Sequence, residues 1–175
     1  MVILDIQKRI KKILDNFKEC DDDYSIIDIT KFATLFGFDV SESYDLTDNI
    51  NGKITSTNNS KKIVLNINFS KAHKRYTIAY LISSFLIFYN NETFLCSHTL
   101  DDEIDEVAAF ARMLLIPENK LTFVRKLSLH QNKLKKYTAS DCEKLAYLFN
   151  VPIEVMDIRL KEVYKKNSVL QRKKD

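Results

Sequence analysis

The sequence predicts an α+β fold, mostly helical, with a small mixed or antiparallel sheet, and three observations lead there. Glycine and proline number two each in 175 residues, which is too few for a turn-rich all-β chain. Several long stretches repeat apolar side chains at the 3.6-residue period of a helix. One stretch, from Lys62 to Phe69, instead alternates Ile63, Leu65 and Ile67 with Val64, Asn66 and Asn68, as a half-buried strand does. A chain of this length can bury a real core as one domain, or as one domain with an appendage.

The elements follow in order. Ile3, Ile6, Ile10, Ile13, Leu14 and Phe17 fall at helical spacing over residues 3–19, with lysines between them. Asp21-Asp22-Asp23 reads as a loop. A second helix is expected from about Ser25 to Phe36, with Gly37 as its C-terminal stop. Residues 38–57 read as short strands: Phe38 and Val40, then Asn51-Gly52 as a turn, then Lys53-Ile54-Thr55. Asn58-Asn59-Ser60 reads as another turn before the strand 62–69. A long helix is expected over 71–89. From Tyr76 onward it is apolar nearly all round, so it should be buried.

Asn90 to Thr99 reads as a polar loop. The next helix should start near Asp101, where acidic residues suit the helix dipole, and end before Pro117. Three more helices are expected over about 118–130, 139–149 and 153–166, with Thr138 or Ser140 capping the second. From Lys165 the tail loses apolar periodicity and should fray. The expected organisation is a main domain over 1–130, a helix-turn-helix-like segment over 131–166 packed on it, and a flexible tail over 167–175.

The formal net charge of +3 hides an asymmetry. Residues 1–117 carry 13 Lys and Arg against 17 Asp and Glu, a balance of −4, whereas residues 118–175 carry 14 against 7, a balance of +7. A basic end can meet nucleic acid or an acidic partner, or simply coat a solvated helix face. The three cysteines, Cys20, Cys96 and Cys142, form neither a CxxC pair nor an even disulfide framework. With no secretory signal and no apolar run of the roughly 18 residues a membrane span needs, the expectation is a cytoplasmic protein without a membrane partner.

Three motifs stand in register. Ile63-Val64-Leu65-Asn66 is a strand. Arg75-Tyr76-Thr77-Ile78-Ala79-Tyr80-Leu81-Ile82-Ser83-Ser84 is a helix. Glu106-Val107-Ala108-Ala109-Phe110-Ala111-Arg112-Met113-Leu114-Leu115-Ile116-Pro117 is a second helix. Together they resemble the ImmA/IrrE metallopeptidases, whose strand reads I-V-V-N, whose next helix reads R-F-T-x-A-H-E-x-G-H, and whose later helix reads E-A-N-x-F-A-x-x-L-L-M-P. Ile29-Thr30-Lys31-Phe32-Ala33 with Gly37 looks like the opening of that family. Leu145-Ala146, Phe149, Val151 and Arg159-Leu160 look like its closing helical segment. The resemblance covers most of the chain and implies a zincin-like fold.

A working HExxH site needs two histidines one helical turn apart, a glutamate as general base on metal-bound water, and a further ligand that leaves one position open. The resemblance puts Tyr80 and Ser84 where the histidines belong, Leu81 at the base, and Ser83 in place of the glycine. Glu106 matches the further ligand. Leu81 has no proton to exchange, and Tyr and Ser must be ionised at a cost before they can bind zinc. No zinc or other cofactor is therefore expected. Tyr80 and Ser84 could instead turn their hydroxyls to the Glu106 carboxylate. His73, His98 and His130 lack ligand spacing.

Three functions remain open. A protein-binding, catalytically inactive relative comes first, and the resemblance implies a helix-turn-helix repressor of a phage or mobile element as its partner. A peptidase with non-standard ligands is second. A DNA-binding regulator is third, with Lys161, Lys165 and Lys166 as candidate phosphate contacts. Against the third, Glu154 and Asp157 would face DNA where base-reading residues normally lie.

Overall fold

The computed structural model describes residues 26–57, 59–88, 93–97, 105–128 and 137–172. Among these, six helices and a four-stranded mixed sheet make an α+β fold. The elements are α1 (Ile29–Leu35), β1 (Asp39–Ser43), β2 (Ile50–Ser56), β3 (Lys61–Asn66), α2 (Lys71–Phe88), β4 (Thr93–Ser97), α3 (Asp105–Leu115), α4 (Glu118–Ser128), α5 (Ala139–Phe149) and α6 (Ile153–Arg172). The expected helix over 3–19 lies outside the described residues, as do Cys20, His98 and His130.

The strand order is β1-β3-β2-β4. β1 runs parallel to β3 with Val40 opposite Ile63, while β2 runs antiparallel to both β3 and β4. α2 packs across this sheet and against α3, with α1 alongside. Its residues from Tyr76 to Phe85 are all buried, which is what an all-round apolar helix requires. One contiguous core joins sheet residues such as Ile54 and Ile63 to Leu81, Leu114, Leu145 and Met156, so α5 and α6 pack onto the same core.

Local chemistry sets the boundaries. Asp28 caps α1 by accepting from the backbone N–H groups of Thr30 and Lys31 at 3.1 and 3.0 Å, so the helix begins at Ile29 rather than Ser25. Gly37, at φ +79°, ends it. Ser70 opens α2: its carbonyl accepts from Lys74 N–H at 2.9 Å and its hydroxyl from His73 N–H at 3.3 Å. Thr138 and Asp141 form a reciprocal capping box at the start of α5, so Thr138 is the cap. Hydrogen bonding to the Thr138 N–H holds the Asp141 carboxyl below its usual range. Asn150, in the left-handed region at φ 50°, closes α5.

Three expectations are corrected. Asn51-Gly52 is not a turn, because both residues lie inside β2. Glycine is needed there for close approach: a Cβ on Gly52 would stand 2.7 Å from Thr77 Cγ2, where α2 crosses the strand. The stretch 90–99 is not all loop, because Thr93–Ser97 adds β4 to the open edge of β2. Pairing to a neighbouring strand supplies what five residues cannot signal by periodicity. Finally, α6 extends to Arg172, six residues past the expected end of the helix at 166.

Candidate functional site

The three motif positions on α2 come together as part of the buried core. Tyr80 is 5% exposed, Leu81 0% and Ser84 2%. In a helix interior a serine hydroxyl reaches back to a carbonyl of the preceding turn. Ser84 Oγ donates to Leu81 O at 2.7 Å and Ser83 Oγ to Ala79 O at 2.6 Å. Tyr80 lies beside Tyr76, with ring centroids 6.4 Å apart. Glu106, the second residue of α3, is exposed. The expected turn of Ser84 toward Glu106 is therefore not made, because the hydroxyl satisfies itself on its own helix.

These donors do not suit zinc. Ser84 is occupied by backbone, Leu81 offers nothing, and the one carboxylate of the set stands in solvent. Among the described residues, no group of three His, Cys, Asp or Glu side chains could hold a metal ion. Asn66, the last residue of the strand motif, has a structural role. Its side-chain amide donates to the carbonyls of Thr47 and Ile50 at 3.2 and 3.1 Å, and its oxygen accepts from Asn68 N–H at 3.1 Å. It clamps the β1–β2 connection onto the exit of β3.

A different part of α2 is open. Its first two turns border a cleft of about 340 Å³ that also takes in the start of α1, strand β1 and Asn150. Lys71, Lys74 and Arg75 line it together with Asp28 and Glu42. Lys74 Nζ pairs with Glu42 at 2.5 Å. Arg75 Nε and Nη2 are buried without a hydrogen-bond partner. Burial pushes the Arg75 guanidinium down to about 10, and the nearby Asp28 carboxylate offsets this in part. Arg75 belongs to the stretch that resembles the family's helix, and the resemblance implies no role for it. A signal was present nonetheless: three cations open a helix whose first turn carries no acidic residue, the reverse of what the dipole favours. Such local conflicts concentrate at functional sites.

Two further arginines are buried where α3 meets α6. Arg112 Nε donates to Glu162 at 2.9 Å, Arg159 Nη1 pairs with Glu162 at 3.2 Å, and Arg159 Nε donates to Ile116 O at 3.0 Å, closing the end of α3. This cluster fastens α6 to the main body. In the first turn of α6, Ile153 and Glu154 are exposed, and further along the helix Lys161 is paired with Asp157 at 2.5 Å. The first turn of α6 thus presents an apolar and an acidic side chain. Lys165 and Lys166 lie on the same helix.

The chain matches no protein-family model and no curated protein. Among the described residues, no helix is long and apolar enough to cross a membrane.

Proposed function

We propose that the chain is a non-catalytic relative of the ImmA/IrrE metallopeptidases that acts by binding a protein, with a helix-turn-helix repressor as the partner class the resemblance implies. The observation that carries this reading is the sealing of Tyr80, Leu81 and Ser84. A hydrolytic site needs a base and an open position for water, and these side chains are 5% exposed or less. The donor set gives the same direction, so the reading requires no zinc. Two features support binding. Among the described residues, β1 pairs on one side alone, leaving an outer edge to which an extended segment can add. The cleft beside it lies between that edge strand and the central helix.

The test is capture of partners by the intact chain in its own cell, followed by mass measurement of what is held. The expected result is a specific protein recovered at full length in a stable complex. Recovery of fragments with new termini that depend on the chain would contradict the proposal and favour a peptidase with non-standard ligands.

A further inference from the structure

We infer that the cleft between α1, β1 and the start of α2 is a carboxylate-binding subsite that takes an acidic side chain from a peptide segment lying along β1. The inference rests on the protein-binding reading and names the chemistry of the partner at that site. Four observations carry it.

The first is the state of Arg75. A guanidinium has five N–H donors in a fixed fork, and burying them unmatched is costly. Arg75 has two buried nitrogens without a hydrogen-bond partner, at the wall of an open cleft. Donors of this kind gain most from an added acceptor. A carboxylate matches that fork geometrically through two parallel bonds.

The second is charge. Lys71, Lys74 and Arg75 supply three positive charges and Asp28 and Glu42 two negative ones. Lys74 is already paired with Glu42, and Asp28 is turned to the backbone of Thr30 and Lys31. The remaining excess of one positive charge suits a monoanion. A phosphate dianion would meet two carboxylates at close range, so it fits less well.

The third is position. Val40, Ser41 and Glu42 of β1 line the cleft, and β1 is an edge of the described sheet. A strand added to β1 would direct alternate side chains toward the helix-facing side, where Arg75 and Lys71 stand. The fourth is the cost of the arrangement. Three cations at a helix start oppose the dipole, and a bound anion removes that conflict.

The test uses the isotopically labelled full-length chain, observed by NMR at the amides of Ser41, Glu42 and Lys71. The probes are an acetylated, amidated alanine pentapeptide with a central glutamate, its glutamine counterpart, and sodium phosphate. The glutamate peptide should give saturable shifts at these amides. The glutamine peptide and phosphate should bind at least tenfold more weakly. Arg75→Gln should weaken the glutamate peptide at least tenfold and Arg75→Lys several-fold, since the charge survives and the fork does not. Lys71→Gln is at an exposed position and keeps the fold, so it decides the matter if Arg75→Gln does not fold. It should weaken binding about threefold.

Equal binding of the two peptides, tighter binding of phosphate, or no effect of either Arg75→Gln or Lys71→Gln would overturn the subsite. Failure here is separable from failure of the protein-binding reading. If both variants still capture a full-length partner, the subsite is wrong and the reading stands. If the glutamate peptide binds as described but the chain captures no full-length partner, the reading falls and the cleft remains a carboxylate site.

Discussion

The two halves of α2 solve opposite problems. From Tyr76 to Phe85 every side chain is buried, and the serine hydroxyls there bond to carbonyls of their own helix. From Lys71 to Arg75 the same helix carries three cations beside an open cleft, and one of them keeps buried N–H groups without an acceptor. The second half is self-sufficient and the first is not. Function is to be sought at unmet hydrogen-bonding demand, rather than at the positions that the sequence resemblance singles out. Five substitutions test this contrast.

The largest effect belongs to Leu81→Glu. It puts a carboxylate at the position that the resemblance aligns with a general base, but at a fully buried site where the Ser84 hydroxyl is already engaged. A buried unpaired charge should cost about 4 kcal/mol or more, read as lost cooperativity or a lowered midpoint in urea denaturation. Unchanged stability would mean that this half of the helix is open.

Gly52→Ala comes next, at the crossing of β2 and α2. Its new methyl would stand 2.7 Å from Thr77 Cγ2 and should destabilise by about 1–3 kcal/mol. Thr77→Ser removes the opposing methyl, and the hydroxyl it retains can keep the bond that Thr77 makes to His73 O. The double variant should therefore recover part of the loss in a double-mutant cycle.

Arg75→Gln should move stability the other way. The folded state lowers the Arg75 pKa to about 10, below its ordinary value, so the fold disfavours the charged form. That cost is present in full below about pH 10 and is relieved as pH rises through it. At neutral pH the variant should be as stable as the parent or more stable, by up to about 1 kcal/mol. A clear loss would show that Arg75 is a structural group and would weaken the contrast. The smallest effect is expected for Glu106→Gln, an exposed change that should stay within about 0.5 kcal/mol in the same assay.

What the sequence made legible follows from how local each signal is. The extent of α2 and the burial of its second half were readable, because eighteen residues of periodic pattern carry them. So were Gly37 as a stop and Thr138 as one of two candidate caps, since each acts within a few residues. β4 was not readable: five residues have too little pattern, and its partner β2 is some forty positions away. Gly52 misled for a related reason, because the residue that demands a glycine is Thr77 on another element. Of the motif positions, the chemistry that Tyr80, Leu81 and Ser84 lack was plain from residue type. That Ser84 spends its hydroxyl on Leu81 O, and that Glu106 faces solvent, depended on the packed helix. The cleft at Arg75 was least accessible of all, because it exists where residues from α1, β1 and α2 meet.

Zinc stoichiometry of the purified full-length chain, measured by equilibrium dialysis against buffered zinc at neutral pH, reaches the core of the account most directly. The sealed second half of α2 predicts far less than one equivalent bound, with no change on Ser84→Ala or Glu106→Gln. One tightly held equivalent that is lost in both variants would contradict it.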